Sequence, residues 1–222
     1  MKFNIYIGYD DQRNNIFKVC EKSILKNSKN NIEIFKIGNS ILNKNIWYRE
    51  KNKYESTDFS ISRFLVPFLS NFSGISIFMD DDFLWKCDVS DLMEFYDDSK
   101  SVMVCKHNYI SKFETKWNSN KQINYARKNW SSLMIFNSKH FDCKNLNVKN
   151  VNEKSALWLH QFKWTDDKNI GQIPLNYNYL VGEYEENFND IKALHFTNGC
   201  PIYDDSIKTR HSNEWLEIYE SL

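Results

Sequence analysis

Residues 75–79, Ile-Ser-Ile-Phe-Met, run directly into three consecutive aspartates, Asp80, Asp81 and Asp82. The five residues are nearly all apolar and rich in β-branched and aromatic side chains, which predicts a buried strand. In an open α/β sheet, ligands bind at the carboxyl ends of such strands. Three carboxylates there repel one another unless a cation lies among them, and hard oxygen ligands suit Mg²⁺ or Mn²⁺. A solvated acidic turn is the alternative interpretation.

Helix and strand patterns alternate along the rest of the chain. Further strands are predicted at residues 3–7, 32–35, 102–105, 131–136 and 192–196. Helices are predicted at residues 11–25, 58–72, 90–96, 156–162 and 213–222, and Pro67 predicts a kink or an irregular first turn in the second of them. This alternation predicts an α/β fold with a mostly parallel sheet. Residues 106–130 show few periodic signals and are predicted to be a long functional loop.

Length and composition narrow the class of protein. The 222 residues suffice for a full core, and with 6 glycines, 3 prolines and no linker-like stretch we expect a single domain over residues 1–222. Lysine plus arginine equals aspartate plus glutamate at 29 each, whereas a nucleic-acid-binding protein is usually more cationic. No apolar run approaches the ~18 residues that span a bilayer. We therefore expect no nucleic-acid partner and no transmembrane segment, and the oligomeric state stays open.

The cysteines bear on the cellular compartment. The five cysteines are odd in number, scattered, and form no Cys-x-x-Cys pair, so they indicate neither a disulfide framework nor a structural zinc site. The first eight residues are predicted to form a core strand. They are too short and too polar to be a signal peptide. We therefore expect a cytoplasmic protein.

Two groups of residues could bind a nucleotide or a phosphate. Gly8, Tyr9 and Asp10 follow the first predicted strand and could hold a nucleoside, with a turn and an N-capping aspartate as the alternative. Arg63 is the cation of the predicted helix 58–72. Its guanidinium could bind a phosphate or a sugar hydroxyl bidentately, or pair with one of the aspartates.

His195 is a candidate third metal ligand beside Asp80 and Asp82. It lies at the end of an apolar strand and precedes Thr-Asn-Gly. An imidazole at that position can join two carboxylates around a divalent cation. The alternative is a core histidine whose ring nitrogens make hydrogen bonds within the protein.

The motifs, taken in their order along the chain, resemble a known family. They are the Gly-Tyr-Asp after the first strand, Arg63 in its helix, FMDDD, NWSSLMIFN, IPLNYNYLVGEY and LHFTNG. In this order they resemble the glycogenin-like family 8 glycosyltransferases, and in particular a branch of small bacterial and viral sequences. The resemblance extends over residues 5–201. It implies the GT-A fold, a Rossmann-like mixed sheet flanked by helices, and transfer of sugar from a nucleotide donor with retention of anomeric configuration.

The resemblance also implies a role for individual residues. Asp80 and Asp82 match the outer carboxylates of the family's Asp-x-Asp, which hold Mn²⁺ against the donor diphosphate, and His195 matches the family's histidine ligand. Asp81 takes the middle position, where it would contact the donor ribose or be structural. The residues expected to bind the donor are Gly8, Tyr9, Asp10, Arg63, Asp81, Lys106, Asn198 and Gly199.

The chain departs from the family pattern at three places. The family's lysine after the histidine is missing, because Cys200, Pro201 and Ile202 stand there, so Lys106 or Lys128 would have to stabilise the leaving nucleotide, or the metal does so alone. Trp-Ser-Ser at residues 130–132 replaces the family's Asn-x-Gly.

The third departure concerns the mechanism. The family's Asp-Gln-Asp, near the anomeric carbon, is replaced by Leu159, His160 and Gln161, so no carboxylate nucleophile is available there. We therefore expect front-face return, in which the acceptor hydroxyl attacks from the side of the leaving diphosphate. Gln161, His160 and Arg63 are the candidate catalytic residues.

Together these observations predict a metal-dependent retaining hexosyltransferase that uses Mn²⁺ or Mg²⁺. The expected donor is UDP-glucose or UDP-galactose, and the acceptor is a glycan, a lipid-linked glycan or a protein, reached in the cytoplasm or at the inner face of a membrane. The alternatives are a metal-dependent nucleotidyltransferase or phosphohydrolase, and a carbohydrate-binding protein without catalysis. The sequence leaves the donor sugar, the acceptor and the linkage open.

Three further regions of the sequence also carry a prediction. The loop 106–130 is rich in aromatic residues, which stack on sugars, and we expect the acceptor there; its aromatic residues include Tyr109, Phe113, Trp117, Tyr125 and Trp130. Packing beneath a long loop is the alternative. The acidic runs at 166–167 and 183–186 are interpreted as solvated faces. Helix 213–222 is expected to close the core rather than to dock on a membrane.

Overall fold

The computed structural model describes residues 2–52, 55–114, 124–185, 188–203 and 208–222. Its strands are β1 (Phe3–Gly8), β2 (Ile34–Ile37), β3 (Ile75–Met79), β4 (Phe83–Trp85), β5 (Val102–Cys105), β6 (Leu133–Asn137), β7 (Ile170–Ile173), β8 (Tyr179–Leu180) and β9 (Ala193–His195). Its α-helices are α1 (Asn14–Asn27), α2 (Val66–Leu69), α3 (Val148–Glu153), α4 (Ala156–His160) and α5 (Ser212–Glu220). Short 3₁₀ helices include Asp11–Arg13, Ser62–Leu65, Val89–Phe95 and Trp130–Ser132.

The main sheet is mixed. Within the described residues its six strands run in the order β2-β1-β3-β6-β5-β7. β1 pairs in parallel with β2 and β3, and β5 pairs in parallel with β7. β6 is antiparallel to both of its neighbours, β3 and β5. The predicted fold class, an α/β fold with a mixed sheet flanked by helices, is confirmed.

A second, three-stranded sheet in the order β4-β9-β8 lies beside the main one. β4 begins right after the three aspartates and pairs antiparallel with β9, so that Phe83 lies opposite His195. β8 pairs in parallel with β9, and Leu180 is the partner of His195. This register brings a histidine from the end of the chain next to Asp82.

The core lies on both faces of the main sheet. Ile75, Ile77 and Met79 point to the face that α1 covers, while Phe78 points to the face covered by residues 59–66 and the region of α3 and α4. All five residues of β3 are buried. A strand buried on both faces appears in the sequence as an almost continuous apolar run, which is why β3 is readable from the sequence alone.

The C-terminal helix completes a third apolar cluster, as expected. Trp215 of α5 is fully buried and packs with Ile16 and Val19 of α1 and with Leu194 of β9. A buried tryptophan of this kind removes about 200 Å² of its own surface from water. α5 therefore holds α1 against the second sheet.

The predicted helix 58–72 is wrong as a continuous helix. The chain there forms turns, the 3₁₀ segment Ser62–Leu65, and then the single-turn helix α2. Pro67 lies in the first turn of α2. Because proline has no backbone N–H, it is tolerated in a first turn and cannot continue a helix from the preceding residues. The irregularity predicted at Pro67 is therefore present, and Arg63 lies in the 3₁₀ part.

The other elements differ from prediction mainly at their ends. α1 begins at Asn14 after a 3₁₀ turn, and the predicted helix 90–96 is the 3₁₀ helix Val89–Phe95. The predicted loop holds no strand or helix at residues 106–114 and 124–129; Trp117 lies outside the described residues. None of the helices in the described parts of the chain combines the length and the hydropathy that crossing a bilayer requires.

Candidate metal and donor site

The three aspartates lie at the carboxyl end of β3, as predicted. Backbone hydrogen bonds fix them on two sides, because the Asp80 N–H donates to the Ser132 carbonyl at 3.0 Å and the Phe196 N–H donates to the Asp82 carbonyl at 3.0 Å. The acidic segment is therefore bound to the start of β6 and to the residue that follows β9. Its backbone is thus held by hydrogen bonds to neighbouring chain segments, unlike that of a solvated turn.

Asp80, Asp82 and His195 come together as a candidate metal site. One carboxylate oxygen from each aspartate and one ring nitrogen of the histidine lie within 4.8 Å of one another. His195 Nε2 is 3.2 Å from Asp82 Oδ1. The ring of His195 also stacks on Phe83, with ring centroids 4.5 Å apart. The three residues assigned to the metal by sequence thus converge in space.

A hydrogen-bond chain sets the orientation of the His195 ring. Its Nδ1 lies 2.8 Å from Asn178 Oδ1, while the Asn178 Nδ2 group donates to Ser132 Oγ at 2.9 Å. Because an amide oxygen only accepts, Nδ1 carries the hydrogen. In a neutral imidazole the lone pair is then on Nε2, which faces Asp82. Asn178 thereby orients the His195 ring in the way that hydrogen-bond partners orient metal-binding histidines.

Arg13, which was not singled out from the sequence, joins the acidic cluster. Its guanidinium forms a bidentate pair with Asp81, with Nε–Oδ2 at 2.8 Å and Nη2–Oδ1 at 2.6 Å. The same Nη2 lies 3.3 Å from Asp82 Oδ2. Asp81 has no exposed surface, so the middle aspartate is a buried partner of Arg13 and is not open to a ribose.

Arg63 is the second guanidinium at the acidic segment. Its Nη1 donates to Asp80 Oδ1 at 2.6 Å and to the Ser131 carbonyl at 2.9 Å, while its Nε donates to the Ser60 carbonyl at 3.0 Å. Its Nη2 makes no hydrogen bond with the described residues. Arg63 thus pairs with an aspartate, which is one of its two predicted roles.

Burial and charge oppose each other in this cluster. Burial raises the pKa of Asp80, against the lowering effect of Arg63, and burial raises the pKa of Asp81 to about 7 against the pull of Arg13. Burial lowers the pKa of the Arg13 guanidinium, but the charges of Asp81 and Asp82 outweigh it and the pKa ends well above its usual value. Three carboxylates face two guanidiniums, which leaves the cluster short of positive charge when all are ionised.

The residues expected at the nucleoside end lie beside this cluster. Ile7 of β1 pairs with Met79 of β3, so Gly8 lies next to Asp80 at the same sheet edge. A Cβ on Gly8 would come within 2.5 Å of the Phe59 ring, which explains the glycine. Asp10 accepts from the backbone N–H groups of Gln12 and Asp58, each at 3.0 Å, so its carboxylate forms the predicted N-cap and also fixes a neighbouring loop.

Tyr9 is half-buried between two side chains. The Lys36 ammonium lies over its ring, 4.2 Å from the centroid, and Phe17 packs edge-on against it. One face of the ring is thus occupied by a cation. The ring is placed at the sheet edge by a backbone bond from Tyr9 N–H to the Ile37 carbonyl at 2.7 Å.

Lys106, Asn198 and Gly199 have other partners. The Lys106 ammonium donates to the Ile170 carbonyl at 2.9 Å and lies over the Trp130 ring, so none of its recorded contacts is to the aspartates. Asn198 donates to Glu183 Oε1 at 3.1 Å. Gly199 has φ +125°, a conformation that favours glycine. Asn198 and Gly199 shape the loop after His195, and Lys106 lies elsewhere, against β7 and Trp130.

Of the two residues that the resemblance places near the anomeric carbon, His160 is linked to Arg63 by two hydrogen bonds that share Ser131. His160 Nδ1 is 2.8 Å from Ser131 Oγ, and the carbonyl of the same serine accepts from Arg63. His160 also packs edge-on against Phe64. Gln161 is the C-cap residue that follows α4, and its half-buried side chain makes no hydrogen bond with the described residues. The structure therefore connects His160, but not Gln161, to the acidic edge through Ser131.

The interpretation of residues 183–186 as a solvated face is wrong for Glu183. That side chain is buried and accepts from Ser111 Oγ at 2.5 Å and from the Lys112 N–H at 3.0 Å, in addition to Asn198. Glu185 is exposed, and Glu186 lies outside the described residues. The run at residues 166–167 is exposed, as expected.

Glu183 and its neighbour fasten the predicted acceptor loop. The Tyr184 hydroxyl lies 2.6 Å from His107 Nδ1, so two consecutive residues hold both ends of residues 107–112. Tyr109 in that segment accepts from Asn129 Nδ2 at 2.8 Å. Of the other predicted aromatic residues, Trp130 donates to the His107 carbonyl at 2.8 Å. The loop is therefore held by specific polar bonds near the His195 loop.

The chain resembles known proteins in sequence and in fold, although no family model matches it. Protein CDI of Arabidopsis thaliana is 37% identical over 223 residues, an alignment that covers 98% of this chain and 86% of that protein. Such identity over nearly the full chain indicates common descent and a common fold.

Solved glycosyltransferase structures share the fold at low sequence identity. The bifunctional glycosyltransferase WbbM superposes with a TM-score of 0.65 at 14% identity, covering 98% of this chain and 49% of that one. GlyE of Streptococcus pneumoniae gives 0.62 at 13%, covering 98% and 61%. The galactosyltransferase LgtC, solved with donor and acceptor sugar analogues, gives 0.59 at 11%, covering 99% and 96%. The chain thus spans half to three fifths of WbbM and GlyE and almost all of LgtC, and its fold is the GT-A fold.

Proposed function

The chain belongs to the same protein family as Protein CDI of Arabidopsis thaliana and has the GT-A fold, and from this premise we propose that it is a glycosyltransferase. It transfers a hexose from a nucleotide-diphosphate sugar, UDP-glucose or UDP-galactose, with retention of anomeric configuration. The acceptor is a glycan, a lipid-linked glycan or a protein. The five free cysteines favour a cytoplasmic site of action, which includes the inner face of a membrane.

The convergence of Asp80, Asp82 and His195 is the observation that carries this proposal. With the hydrogen on Nδ1, a neutral His195 turns a lone pair toward an oxygen of Asp82 at 3.2 Å. Two acceptors this close need a proton or a cation between them. Two carboxylates and one imidazole form a donor set that fits a divalent ion, and the nitrogen favours Mn²⁺ over Mg²⁺.

The chemistry at this edge is the stabilisation of a leaving diphosphate. A divalent ion bound there supplies positive charge to the diphosphate as its bond to the sugar breaks. Arg63 adds to this, because its Nη2 group is available to donate to a phosphate or sugar oxygen while Nη1 stays on Asp80. Asp10 and Gly8 shape the pocket for the nucleoside at the end of β1.

The sugar reacts at the side of the leaving group. The bond between the anomeric carbon and the diphosphate oxygen breaks with its electron pair going to the oxygen. The acceptor hydroxyl bonds to the anomeric carbon from the same face, and its proton passes to the departing phosphate oxygen. Gln161 and His160 are amide and imidazole groups near this position, so they can orient the sugar by hydrogen bonds but supply no carboxylate nucleophile. A trapped covalent sugar–enzyme adduct would contradict this mechanism.

A screen of nucleotide sugars tests the proposed function. Each donor is added with and without Mn²⁺, and thermal stabilisation and slow donor hydrolysis are measured. We expect one UDP-hexose to stabilise the protein only with the metal, and to release free hexose and UDP. Release of sugar phosphate and UMP would indicate a phosphohydrolase instead. Indifference to every nucleotide, with binding of free glycans, would indicate a carbohydrate-binding protein.

A further inference from the structure

The cation-binding oxygen of Asp82 is selected by its neighbours. One oxygen, Oδ1, faces His195 Nε2 at 3.2 Å, and the other, Oδ2, lies 3.3 Å from Arg13 Nη2. The two contacts fix the carboxylate plane from opposite sides. Arg13 therefore occupies one oxygen of Asp82 and leaves the other turned to the histidine.

Arg13 can do this because its own position is fixed. Its bidentate pair with Asp81 at 2.6 and 2.8 Å uses the fork geometry of a guanidinium, which a lysine ammonium cannot reproduce. Arg13 and Asp81 are both buried, so solvent screens the pair little. Asp81 serves as the anchor, and Nη2 extends from it to Asp82.

We propose that Arg13 is a positioning residue for the divalent ion: it holds Asp82 in the orientation that presents Oδ1 beside Asp80 and His195. This inference rests on the metal site of the proposed function. It also assigns Asp81 to the support of Arg13 instead of the donor ribose. Groups that orient metal ligands in this way change metal affinity by about 10- to 100-fold when they are lost.

A purely electrostatic role of Arg13 predicts the opposite change in metal affinity. A fixed positive charge beside a cation site repels the cation, so a purely electrostatic role would make removal of Arg13 tighten metal binding. Variants that keep the charge separate the two effects. Arg13→Lys keeps the cation and loses the fork, and the double change Arg13→Met with Asp81→Leu removes one positive and one negative charge together.

The test is the dissociation constant of Mn²⁺ for the protein without any nucleotide, measured by the electron paramagnetic resonance signal of the free ion. We expect Arg13→Lys to weaken Mn²⁺ binding by about 10- to 100-fold. Arg49→Lys is the matched control, because Arg49 donates to the Val151, Asn152 and Lys154 carbonyls rather than to the aspartates. We expect that variant to bind Mn²⁺ as the wild type does.

The double variant keeps the test decisive if Arg13→Lys does not fold. Replacing both members of a buried ion pair by apolar residues is often neutral for stability. We expect this variant to fold and to bind Mn²⁺ as weakly as Arg13→Lys. Unchanged or tighter Mn²⁺ binding in a folded variant would overturn the positioning role alone. If the wild-type protein binds Mn²⁺ only when UDP is present, the same variants are compared with UDP, and failure to bind Mn²⁺ under both conditions would overturn the metal site and, with it, the proposed function.

Discussion

The two sides of the candidate site are built differently. At the acidic side, Asp80–Asp82 follow a central strand, His195 ends a strand of the second sheet, and Arg13 joins them at hydrogen-bond distance. At the acceptor side, residues 107–112 lie in a loop that Glu183 and Tyr184 hold by side-chain bonds. Under the proposed function, strand ends would place the leaving-group chemistry, and a loop held by side-chain bonds would place the second substrate.

In the proposed reaction, this difference would separate the groups common to all donors from those specific to one acceptor. Every nucleotide-sugar donor presents a diphosphate, so the groups that stabilise it can be fixed on the sheet. Acceptors differ, and loops can change without disturbing the core. We therefore expect substitutions at the acidic side to affect metal and donor binding, and those at the loop side to affect acceptor use and local order.

The largest effect is expected from loss of a metal ligand. Asp82→Ala should abolish metal-dependent donor binding while leaving the fold intact, and His195→Ala should weaken it similarly, with losses of about 100-fold or more. Calorimetric titration of UDP with and without Mn²⁺ measures this. Asp166→Ala, at a side chain that is 75% exposed, is the control. Wild-type Mn²⁺ dependence in His195→Ala would show that the three-ligand site is wrong.

The next effect is expected at the loop side. Glu183→Ala removes a buried acceptor of three hydrogen bonds and should lower the free energy of unfolding by about 2–4 kcal/mol, because hydrogen bonds to charged groups are worth ~1.5–3 kcal/mol each and partly recover with water. Backbone amides at residues 107–112 should exchange faster with solvent, while the affinity for Mn²⁺ stays unchanged. Glu185→Ala, at an exposed neighbour, should change neither quantity.

A loss of Mn²⁺ affinity in Glu183→Ala would remove the contrast between the two sides. It would mean that the Asn198–Glu183 bond transmits the loop's position to His195, three residues earlier. Hydrogen exchange and metal titration on the same preparation decide this.

The orientation of His195 offers a finer test. Asn178→Leu removes the acceptor of the His195 Nδ1 hydrogen at nearly constant volume, and we expect Mn²⁺ affinity to fall by about 10-fold. Asn176→Leu is the neighbouring control, since Asn176 bonds to the Asp190 carbonyl away from the histidine. Equal effects of the two substitutions would indicate a loss of folding rather than of ligand orientation.

The smallest effect near neutral pH is expected at His107. Burial, with a smaller contribution from His195, lowers the pKa of His107 from 6.5 to about 3. The unfolded state therefore binds more protons than the folded state between these values, and the free energy of unfolding rises with pH across that window. His107→Phe should reduce the slope of the free energy of unfolding against pH in this window, by the equivalent of up to one bound proton. Urea unfolding at several pH values measures this slope. A slope unchanged from wild type would contradict the neutral, buried state of His107.

The acidic side was predictable because its signals are local. β3 is a continuous buried run, and the aspartates follow it directly, so strand and cluster are visible in eight residues. His195 was a candidate from its place at the end of an apolar strand, with a core histidine as the alternative, and the family resemblance favoured the ligand role. Arg13 was missed although a usable signal existed: it follows the first strand by five residues, and parallel neighbours place those loops at one edge.

The remaining features depend on long-range pairing. β4 has only three residues and exists because β9, more than 100 positions later, pairs with it. Glu183 looked like part of a solvated acidic run because its partners, Ser111 and Asn198, come from distant loops. The prediction of a continuous helix at 58–72 was wrong because it gave more weight to the broad apolar face than to Pro67, the one residue that prevents a continuous helix.

A crystal structure of the protein grown with Mn²⁺ and UDP tests the central claim most directly, because the anomalous scattering of manganese locates the ion independently of activity. We predict one strong anomalous peak bound by Asp80, Asp82 and His195 together with the diphosphate of UDP, while Arg13 stays on Asp81. A peak elsewhere, or UDP bound at this edge without any ion between it and the three residues, would contradict the account.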